Sequence, residues 1–219
     1  MASILFGSIG TVADTSELQR AAFNQAFAHH GLDWHWSQDE YRTLLEKSGG
    51  RKRIEAYAQS QGQSVDAEAI HRSKSALFQQ TLQAGQIEPR SGVVATIKAA
   101  KQRNLTVALV TTTSEQNVSQ MLNALSPSLS AKAFDLVVNT ALIEQPKPAT
   151  DAYAFALQQL SEEAGRCVAI EDNLGGLAAA QAAGLPCIAF PNQNTAHHKF
   201  AGAALQVDHL AFDQIAPFL

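Results

Sequence analysis

Short apolar runs alternate with helical patterns along most of the chain, and this alternation limits the possible folds more than any other feature. The apolar runs lie at residues 4–6, 107–110, 136–138, 168–170 and 188–190. The helical patterns lie at about 93–103, 115–124, 150–162 and 175–183. Strands that alternate with helices usually pair in parallel, so the sequence predicts an α/β fold with a doubly wound, Rossmann-like sheet. Such sheets bind ligands at the carboxyl ends of their strands.

The segment 16–86 interrupts this alternation. It contains no convincing strand, and its helical patterns cover residues 17–30, 38–47, 53–61 and 67–84. Glycines separate these patterns. We therefore predict a four-helix lobe at 16–86, inserted into an α/β core formed by residues 1–15 and 87–219. An array of helical repeats would need a fixed period, which the segment lacks.

Composition and charge exclude several classes of function. The formal net charge is −4, whereas binding to nucleic acid usually needs a basic face. No stretch approaches the roughly 20 apolar residues that span a bilayer, and the N-terminus lacks the pattern of a secretion signal. We expect a cytoplasmic protein with neither nucleic acid nor membrane as a partner. Cys167 and Cys187 each lie in an apolar run, which predicts buried, reduced thiols.

Polar residues follow two of the predicted strands or lie in a rigid turn. Thr111 and Thr112 come directly after 107–110 and precede a helix, whose first N–H groups could bind an anion. A simple N-cap role for Ser114 is the alternative. Lys147 lies between two prolines, so its ammonium could be fixed near an anion. A solvated surface lysine is the alternative there.

Two adjacent carboxylates, Glu171 and Asp172, follow the apolar run 168–170. Gly175 and Gly176 then open a helical pattern. Carboxylates at a strand end are the kind of hard oxygen ligands that hold Mg²⁺ together with water and phosphate oxygens. The alternative is an acidic helix N-terminus that the helix dipole stabilises.

These motifs, in this chain order, resemble those of the haloacid dehalogenase-like hydrolase superfamily. Thr111 is similar to the family's phosphoryl-binding hydroxyl, and Lys147 to its lysine that neutralises the nucleophile and the phosphate. Glu171 and Asp172 are similar to the family's Mg²⁺-binding acids, and the helical lobe corresponds to its cap. The chain resembles the phosphoglycolate phosphatase and β-phosphoglucomutase-like group, and within it most closely the xylulose-bisphosphate phosphatase (CbbY-like) branch. The resemblance to that branch rests on residues 15–24, 31–34, 48–51, 111–114 and 200–203.

The first motif departs from the family pattern. In the family a strand runs into Asp-x-Asp-Gly-Thr, where the first aspartate attacks phosphorus and the second is the general acid/base. Gly7 and Ile9 occupy these two positions, ahead of Gly10 and Thr11. Ser8 lies between them and would face another way, because alternate residues of a strand end point to opposite sides. We therefore expect no catalytic residue in this motif. With one carboxylate fewer, we also expect a weak or vacant Mg²⁺ site.

In the cap, the resemblance implies substrate contacts through Gly49, Gly50, Arg51 and Arg53. The two arginines could grip a second phosphate in a bidentate manner. Solvated arginines at the start of a helix are the alternative. Gln19 stands where the branch is expected to have a histidine, which removes a possible cation near the substrate.

Three functional hypotheses result. The first is a phosphatase-like pseudoenzyme that binds a phosphorylated sugar, an inorganic anion or a protein partner without efficient hydrolysis. The second is an active Mg²⁺-dependent phosphate monoester hydrolase for a small sugar phosphate, with machinery relocated to Asp14 or Asp172. The third is an interaction protein whose pocket is a relic. The first hypothesis assigns phosphate binding to Gly10, Thr11, Thr111, Thr112 and Lys147.

Overall fold

The computed structural model describes residues 2–7, 9–47, 49–85 and 87–219. In these ranges six strands form one parallel sheet in the order β3-β2-β1-β4-β5-β6. The strands are β1 (Ser3–Phe6), β2 (Thr106–Val110), β3 (Leu136–Val138), β4 (Cys167–Glu171), β5 (Cys187–Ala189) and β6 (Leu205–Gln206). The predicted α/β class and doubly wound sheet are confirmed. The strand β6 was not predicted, because two residues are too few to show a periodicity.

The helices fall into two groups, four in the inserted segment and the rest in the core. The cap helices are α2 (Ser16–His29), α3 (Gln38–Leu44), α4 (Gly50–Ser60) and α5 (Ala67–Ala84). The core helices are α1 (Ile9–Val12), α6 (Val93–Gln102), α7 (Glu115–Ala124), α8 (Asp151–Leu160), α9 (Leu174–Ala182) and α10 (Phe212–Ile215). None of the helices in the described ranges combines the length and the apolar character that crossing a membrane requires.

Both faces of the sheet are buried, which is expected for a parallel sheet. Along β1, Ile4 and Phe6 belong to an apolar cluster with residues of α6 and α7. Leu5 points the other way, into a second cluster with residues of α8 and α9. Cys167 and Cys187 are buried in this second cluster as free thiols, as predicted.

The register brings three strand ends to the same edge of the sheet. Phe6, the last residue of β1, pairs with Leu109 of β2 on one side and with Ile170 of β4 on the other. The backbone N–H of Gly7 then donates to the carbonyl of Ile170 at 2.8 Å. The chain order reverses on the two sides of β1, which is where doubly wound sheets open a crevice for ligands.

The cap has an aromatic core of its own. Phe23, Phe27, Trp34, Trp36 and Tyr41 pack together with ring centroids about 5–6 Å apart. Such aromatic pairs add to the hydrophobic burial that stabilises a small lobe. This core explains why the predicted four-helix lobe forms, while its exact limits at 16 and 86 stay a prediction.

The boundaries of two cap helices differ from the predicted ones. The helix predicted at 38–47 ends at Leu44, and the helix predicted at 53–61 already begins at Gly50. Gly49 has a φ of +99°, a backbone conformation that favours glycine. Of the two glycines in the predicted break, only Gly49 therefore lies outside the helices, and Gly50 belongs to α4.

Candidate functional site

The carboxylate of Glu171 occupies the space that a side chain at residue 7 would take. Glu171 is the last residue of β4 and is fully buried. A Cβ placed on Gly7 would overlap its Cδ and Oε1, well inside the 3.0 Å that real Cβ atoms keep. A Cβ on Gly176, in the first turn of α9, would overlap the same carboxylate from another side. Two glycines therefore form the slot in which the Glu171 carboxylate lies.

The ammonium of Lys147 is bonded to this carboxylate. Lys147 Nζ donates to Glu171 Oε1 at 2.6 Å, to the carbonyl of Val110 at 2.6 Å and to the carbonyl of Gly7. An ammonium has three protons, so these three acceptors use all of them. The Lys147 side chain is only 5% exposed. The lysine therefore lies at the strand ends, but its charge is directed at a carboxylate of the same chain, and its binding to phosphate stays a prediction.

The electrostatics of this buried pair follow from its surroundings. Burial raises the pKa of the Glu171 carboxyl, although the Lys147 ammonium opposes the shift. The Tyr153 hydroxyl donates to Glu171 Oε1 at 2.7 Å, and burial together with the charge of Glu171 raises the pKa of Tyr153 well above 10.0. Tyr153 therefore remains a protonated donor to the carboxylate. Glu171 Oε2 has no hydrogen-bond partner among the described residues.

Asp172 points to the other side of the strand end, against helix α1. Its Oδ1 accepts hydrogen bonds from Thr11 Oγ1 at 3.1 Å and Asn173 Nδ2 at 3.2 Å. Its Oδ2 accepts from Asn192 Nδ2 at 3.1 Å. A Cβ on Gly10 would overlap Oδ2, so Gly10 allows the carboxylate to approach the backbone. Gly10 and Thr11 of α1 thus hold Asp172.

The donor set can be compared with the needs of Mg²⁺, the ion that the family uses. Mg²⁺ requires near-octahedral coordination by oxygen atoms, usually with one or two carboxylates. Gly7 has no side chain, Glu171 is bonded to Lys147, and Asp172 already accepts from three side-chain donors. Glu171 Oε2 is the one oxygen of these two carboxylates with no hydrogen-bond partner among the described residues. A single enclosed oxygen does not make an octahedral site, so the residues present, in this arrangement, do not fit Mg²⁺.

Ile9, at the second position of the first motif, lies in apolar surroundings. Ile9 opens α1, is 6% exposed and packs in the apolar cluster beneath the sheet. A hydrocarbon side chain cannot take up or release a proton. Asp14, an alternative proton carrier, accepts hydrogen bonds from the backbone N–H and the hydroxyl of Ser16 at 3.1 and 2.6 Å. Asp14 thus orients the entry into α2. Ser8, the residue between the two motif positions, lies outside the described residues.

The threonines after β2 lie at the same edge of the sheet. Thr111 is buried, and its Oγ1 accepts a hydrogen bond from the backbone N–H of Thr113 at 3.3 Å. Thr112 beside it is half-buried. Ser114 accepts from the backbone N–H of Asn117 at 3.3 Å and caps α7. The capping alternative for Ser114 is therefore confirmed, and the phosphate-binding roles of Thr111 and Thr112 stay predictions.

The predicted cap arginines make contacts within the cap. Arg53 donates to the carbonyls of Leu44 and Lys47, both at 2.9 Å. The exposed Arg51 lies 3.5 Å from a carboxylate oxygen of Glu68. Arg53 therefore ties α4 to the end of α3, and a second phosphate would have to compete with these carbonyls.

The predicted glycines of the cap allow a close approach between helices. A Cβ on Gly50 would lie 2.7 Å from His71 Nε2 and 3.3 Å from Phe23 Cζ. Burial, together with the charge of Lys74, lowers the pKa of His71 to about 4. His71 is therefore neutral near pH 7. Gly49 supplies the positive φ that precedes α4.

Lys74 belongs with these residues, although it was not predicted from the sequence. It is 4% exposed, its ammonium donates to Gln19 Oε1, and it lies 4.9 Å from the centroid of the Phe23 ring. Burial, followed by the charge of Arg53, lowers the pKa of Lys74 to about 7. The signal that could have found it is a lysine four residues before Phe78, at an apolar position of α5.

Arg90 was also missed. It lies in the segment that returns from the cap, and it donates to the carbonyls of Gly10, Phe190 and Pro191 at 3.1, 2.7 and 2.6 Å. It therefore fixes helix α1, which follows β1, against the loop that follows β5. Nothing in the local sequence distinguishes such an arginine from a solvated one.

Comparison with known proteins places this arrangement in a family. The family model described as haloacid dehalogenase-like hydrolase matches residues 4–190. The chain belongs to the haloacid dehalogenase-like hydrolases. Among relatives in this family, Protein CbbY of Cereibacter sphaeroides is 39% identical over 212 residues, which cover 95% of this chain and 92% of CbbY.

Solved structures from the same family agree with this assignment. The crystal structure of CbbY from Rhodobacter sphaeroides in complex with phosphate has a TM-score of 0.86 and 38% identity, and the match covers 95% of each chain. A mutant of that protein in complex with xylulose-(1,5)bisphosphate gives the same TM-score, identity and coverage. The predicted superfamily and CbbY-like branch are confirmed, as is a phosphatase-like fold with sugar-phosphate phosphatases among its relatives.

Proposed function

We propose that this protein binds a phosphorylated small molecule, of the sugar-phosphate class, without hydrolysing it efficiently. The binding site is the edge of the sheet where β1, β2 and β4 end. One observation carries the proposal: the carboxylate of Glu171 fills the space of the missing side chain at Gly7 and is bonded to Lys147. The ligand class is supported by CbbY relatives whose structures contain phosphate and xylulose bisphosphate. A cytoplasmic location is part of the proposal.

Glu171 does not replace the nucleophile in chemistry, although it fills the same space. Its side chain is fully buried between Gly7 and Gly176. Oε1 accepts hydrogen bonds from both Lys147 and Tyr153, and these bonds occupy its lone pairs. An attacking oxygen needs an open path to phosphorus within about 3–3.5 Å, in line with the leaving group. The enclosed carboxylate supports a structural role.

The expected loss of rate is large. Removing one essential member of a catalytic group costs on the order of 10⁴–10⁶ in rate, and a second removal adds little because the group acts as a unit. Gly7 and Ile9 remove both family carboxylates at once. Asp172, the relocated candidate, is enclosed by Thr11, Asn173 and Asn192. No observation favours the active hydrolase over the non-hydrolysing protein.

Binding of a phosphoryl group has support from the remaining polar groups. The hydroxyl of Thr111, the neighbouring Thr112 and the N–H groups of Gly10 and Thr11 are the groups that we propose for phosphate binding at this edge. Lys147 is present, but its charge is offset by Glu171. Phosphate must therefore take over Lys147 as a partner from Glu171, and we expect binding to be weaker than for a site with a free lysine.

The test combines binding and turnover on the same protein preparation. Isothermal titration calorimetry measures binding of inorganic phosphate and of xylulose bisphosphate, with and without Mg²⁺. Phosphate release is measured for a panel of phosphorylated sugars. We expect saturable binding and no release above the rate without protein. Brisk Mg²⁺-dependent release that Lys147→Ala abolishes would establish the hydrolase, and absence of any binding would favour the interaction protein.

A pair of matched variants shows whether the binding is at the proposed edge. Thr111→Val keeps the side-chain shape and removes the hydroxyl, and we expect weaker phosphate binding. Thr81→Val makes the same change on the exposed surface of α5 and should leave binding unchanged. Equal effects of the two variants would place the ligand elsewhere.

A further inference from the structure

Three potential metal ligands meet where the cap touches the core. Glu46 lies in the turn after α3 of the cap, and His197 and His198 lie in the core loop between β5 and β6. One ligand atom from each side chain lies within 4.8 Å of the other two. The two imidazole rings are in edge-to-face contact, with centroids 4.4 Å apart. The cluster is separate from Glu171 and Asp172, so it does not depend on the proposed function.

The burial of His198 points to a ligand at this cluster. His198 is 6% exposed, and its Nδ1 is buried without a hydrogen-bond partner among the described residues. Its Nε2 lies 3.4 Å from the carbonyl of Arg42, a long hydrogen bond at best. A buried nitrogen without a partner is unfavourable, and nearly all such groups in proteins have one. A metal ion would supply the missing partner.

The donor set selects a class of metal. Two imidazoles and one carboxylate are typical ligands of Zn²⁺, whereas Mg²⁺ and Ca²⁺ prefer oxygen ligands alone. Zn²⁺ binds such ligands at about 2.0–2.2 Å, which separates tetrahedral ligand atoms by roughly 3.4 Å. Glu46 and His197 are exposed, so their side chains can rotate to close the remaining gap, and an ion can enter from solvent.

We propose that Glu46, His197 and His198 bind Zn²⁺ and that this ion ties the cap to the core. The fourth ligand is a water molecule, as in zinc sites with three protein ligands. The ion would make the position of the cap, and with it access to the edge of the sheet, depend on metal.

Direct hydrogen bonds already join the same two surfaces beside this cluster. The guanidinium of Arg42 donates to the carbonyl of Gln193 at 3.4 Å. The amide of Gln38 donates to Asn194 Oδ1 at 3.1 Å. These contacts are long, neutral or exposed, and each contributes little alone. Asn194 also donates to the carboxylate of Glu17 in α2 at 2.6 Å. A metal bridge would add a link between α3 and the loop after β5, where the direct contacts are weak.

The test begins with the full chain, freed of any histidine tag and treated with a chelator. Isothermal titration calorimetry with Zn²⁺ should show one saturable site per chain. We expect His197→Ala and Glu46→Gln each to lower the affinity for Zn²⁺ on the order of 100-fold. Even the loss of a residue that only hydrogen-bonds to a zinc ligand lowers metal affinity about 10–100-fold. Both residues are exposed, so these variants should fold. His29→Ala removes an exposed cap histidine outside the cluster and should change nothing.

Two further measurements separate this site from other zinc binding. Co²⁺ in place of Zn²⁺ should give the visible absorption of a tetrahedral nitrogen–oxygen site, and His197→Ala should abolish it. The distance between spin labels on Lys52 of the cap and Lys132 of the core should have a narrower distribution with Zn²⁺ than without it. Zinc binding that Asp172→Asn removes and His197→Ala does not, or no binding at all, would overturn the proposal.

Discussion

At the scale of single residues, the first motif and Glu171 form one unit. An ammonium that is buried without a counter-charge destabilises a protein by several kcal/mol. Lys147 is buried, and Gly7 has no carboxylate to offer it. Glu171 supplies the counter-charge from the neighbouring strand, at 2.6 Å. A glycine at residue 7 is therefore compatible with a stable fold, because the Glu171 carboxylate is within reach of Lys147.

Replacement of Glu171 by glutamine tests this compensation. Glu171→Gln removes the counter-charge of Lys147 and keeps the size of the side chain. We expect a lower melting temperature without ligand, because the buried ammonium loses its charged partner. We also expect inorganic phosphate to bind roughly tenfold more tightly, a change of about 1.4 kcal/mol. Thermal unfolding and titration calorimetry measure the two effects.

The control for this variant is Glu163→Gln, which neutralises an exposed carboxylate. It should alter neither stability nor phosphate affinity by more than a few tenths of a kcal/mol. If Glu171→Gln binds phosphate no better than the wild type, Lys147 does not contribute to an anion site.

The buried lysine of the cap gives a prediction on pH. The pKa of Lys74 falls from 10.5 to about 7 on folding, first because of burial and then because of Arg53. Between these pH values the unfolded chain binds more protons than the folded chain, so the free energy of unfolding rises with pH. Each pKa unit is worth about 1.4 kcal/mol, so this contribution amounts to a few kcal/mol between pH 7 and pH 9.

Chemical denaturation at several pH values measures this effect. Lys74→Met should lose the rise in stability from about pH 7 upward, whereas Lys98→Met, at an exposed position of α6, should keep it. An identical pH profile for wild type and Lys74→Met would show that Lys74 stays charged in the folded protein.

At the scale of elements, the site depends on how closely α9 approaches β1 and β4. Gly176 lies in the first turn of α9, whose N-cap Asn173 accepts a hydrogen bond from the Gly176 N–H at 2.9 Å. This turn leaves room for the Glu171 carboxylate only because residue 176 has no side chain. The geometry of one helix start therefore decides where the counter-charge of Lys147 lies.

A single methyl group in this turn should disturb the slot. Gly176→Ala places a Cβ on the Glu171 carboxylate, which must move away from Lys147 or push α9 outward. We expect a destabilisation of roughly 1–3 kcal/mol, the usual effect of overpacking, measured by denaturant unfolding. Gly165→Ala meets nothing within 4 Å and should have little effect. Equal stability of both variants would show that the slot is not tight.

The elements themselves could be predicted from the sequence, whereas the side-chain arrangement could not. The apolar runs and glycine breaks predicted five strands and four cap helices, because periodicity and punctuation are local properties. Glu171 and Asp172 were predicted at a strand end because they follow an apolar run, and Lys147 was predicted in a rigid turn between two prolines. The bond between Lys147 and Glu171 was not predicted, since it depends on the space that Gly7 and Gly176 leave in three dimensions. Lys74 was hidden for a related reason, as burial of a charge has no local signature.

At the scale of the whole molecule, the chain has the fold of the haloacid dehalogenase-like hydrolases. The family model covers residues 4–190, and the match with the solved CbbY structure covers 95% of each chain. Gly7 and Ile9, just after β1, stand where the resemblance predicts the two aspartates of the first motif. Under the proposed function, these two residues, and no defect elsewhere in the molecule, keep this protein from hydrolysing phosphate esters efficiently.

The most direct measurement is phosphate release by the double variant Gly7→Asp/Ile9→Asp, with xylulose bisphosphate and Mg²⁺. The new aspartate at residue 7 overlaps the slot of Glu171, so Glu171 must rotate out and leave Lys147 to the aspartate. A matched variant, Gly7→Asn/Ile9→Asp, has the same volume but no nucleophile. We predict Mg²⁺-dependent release by the first variant only, with none by the second or by the wild type. Release by the wild type at the rate of the first variant, or a folded, Mg²⁺-binding first variant that releases nothing, would contradict the account.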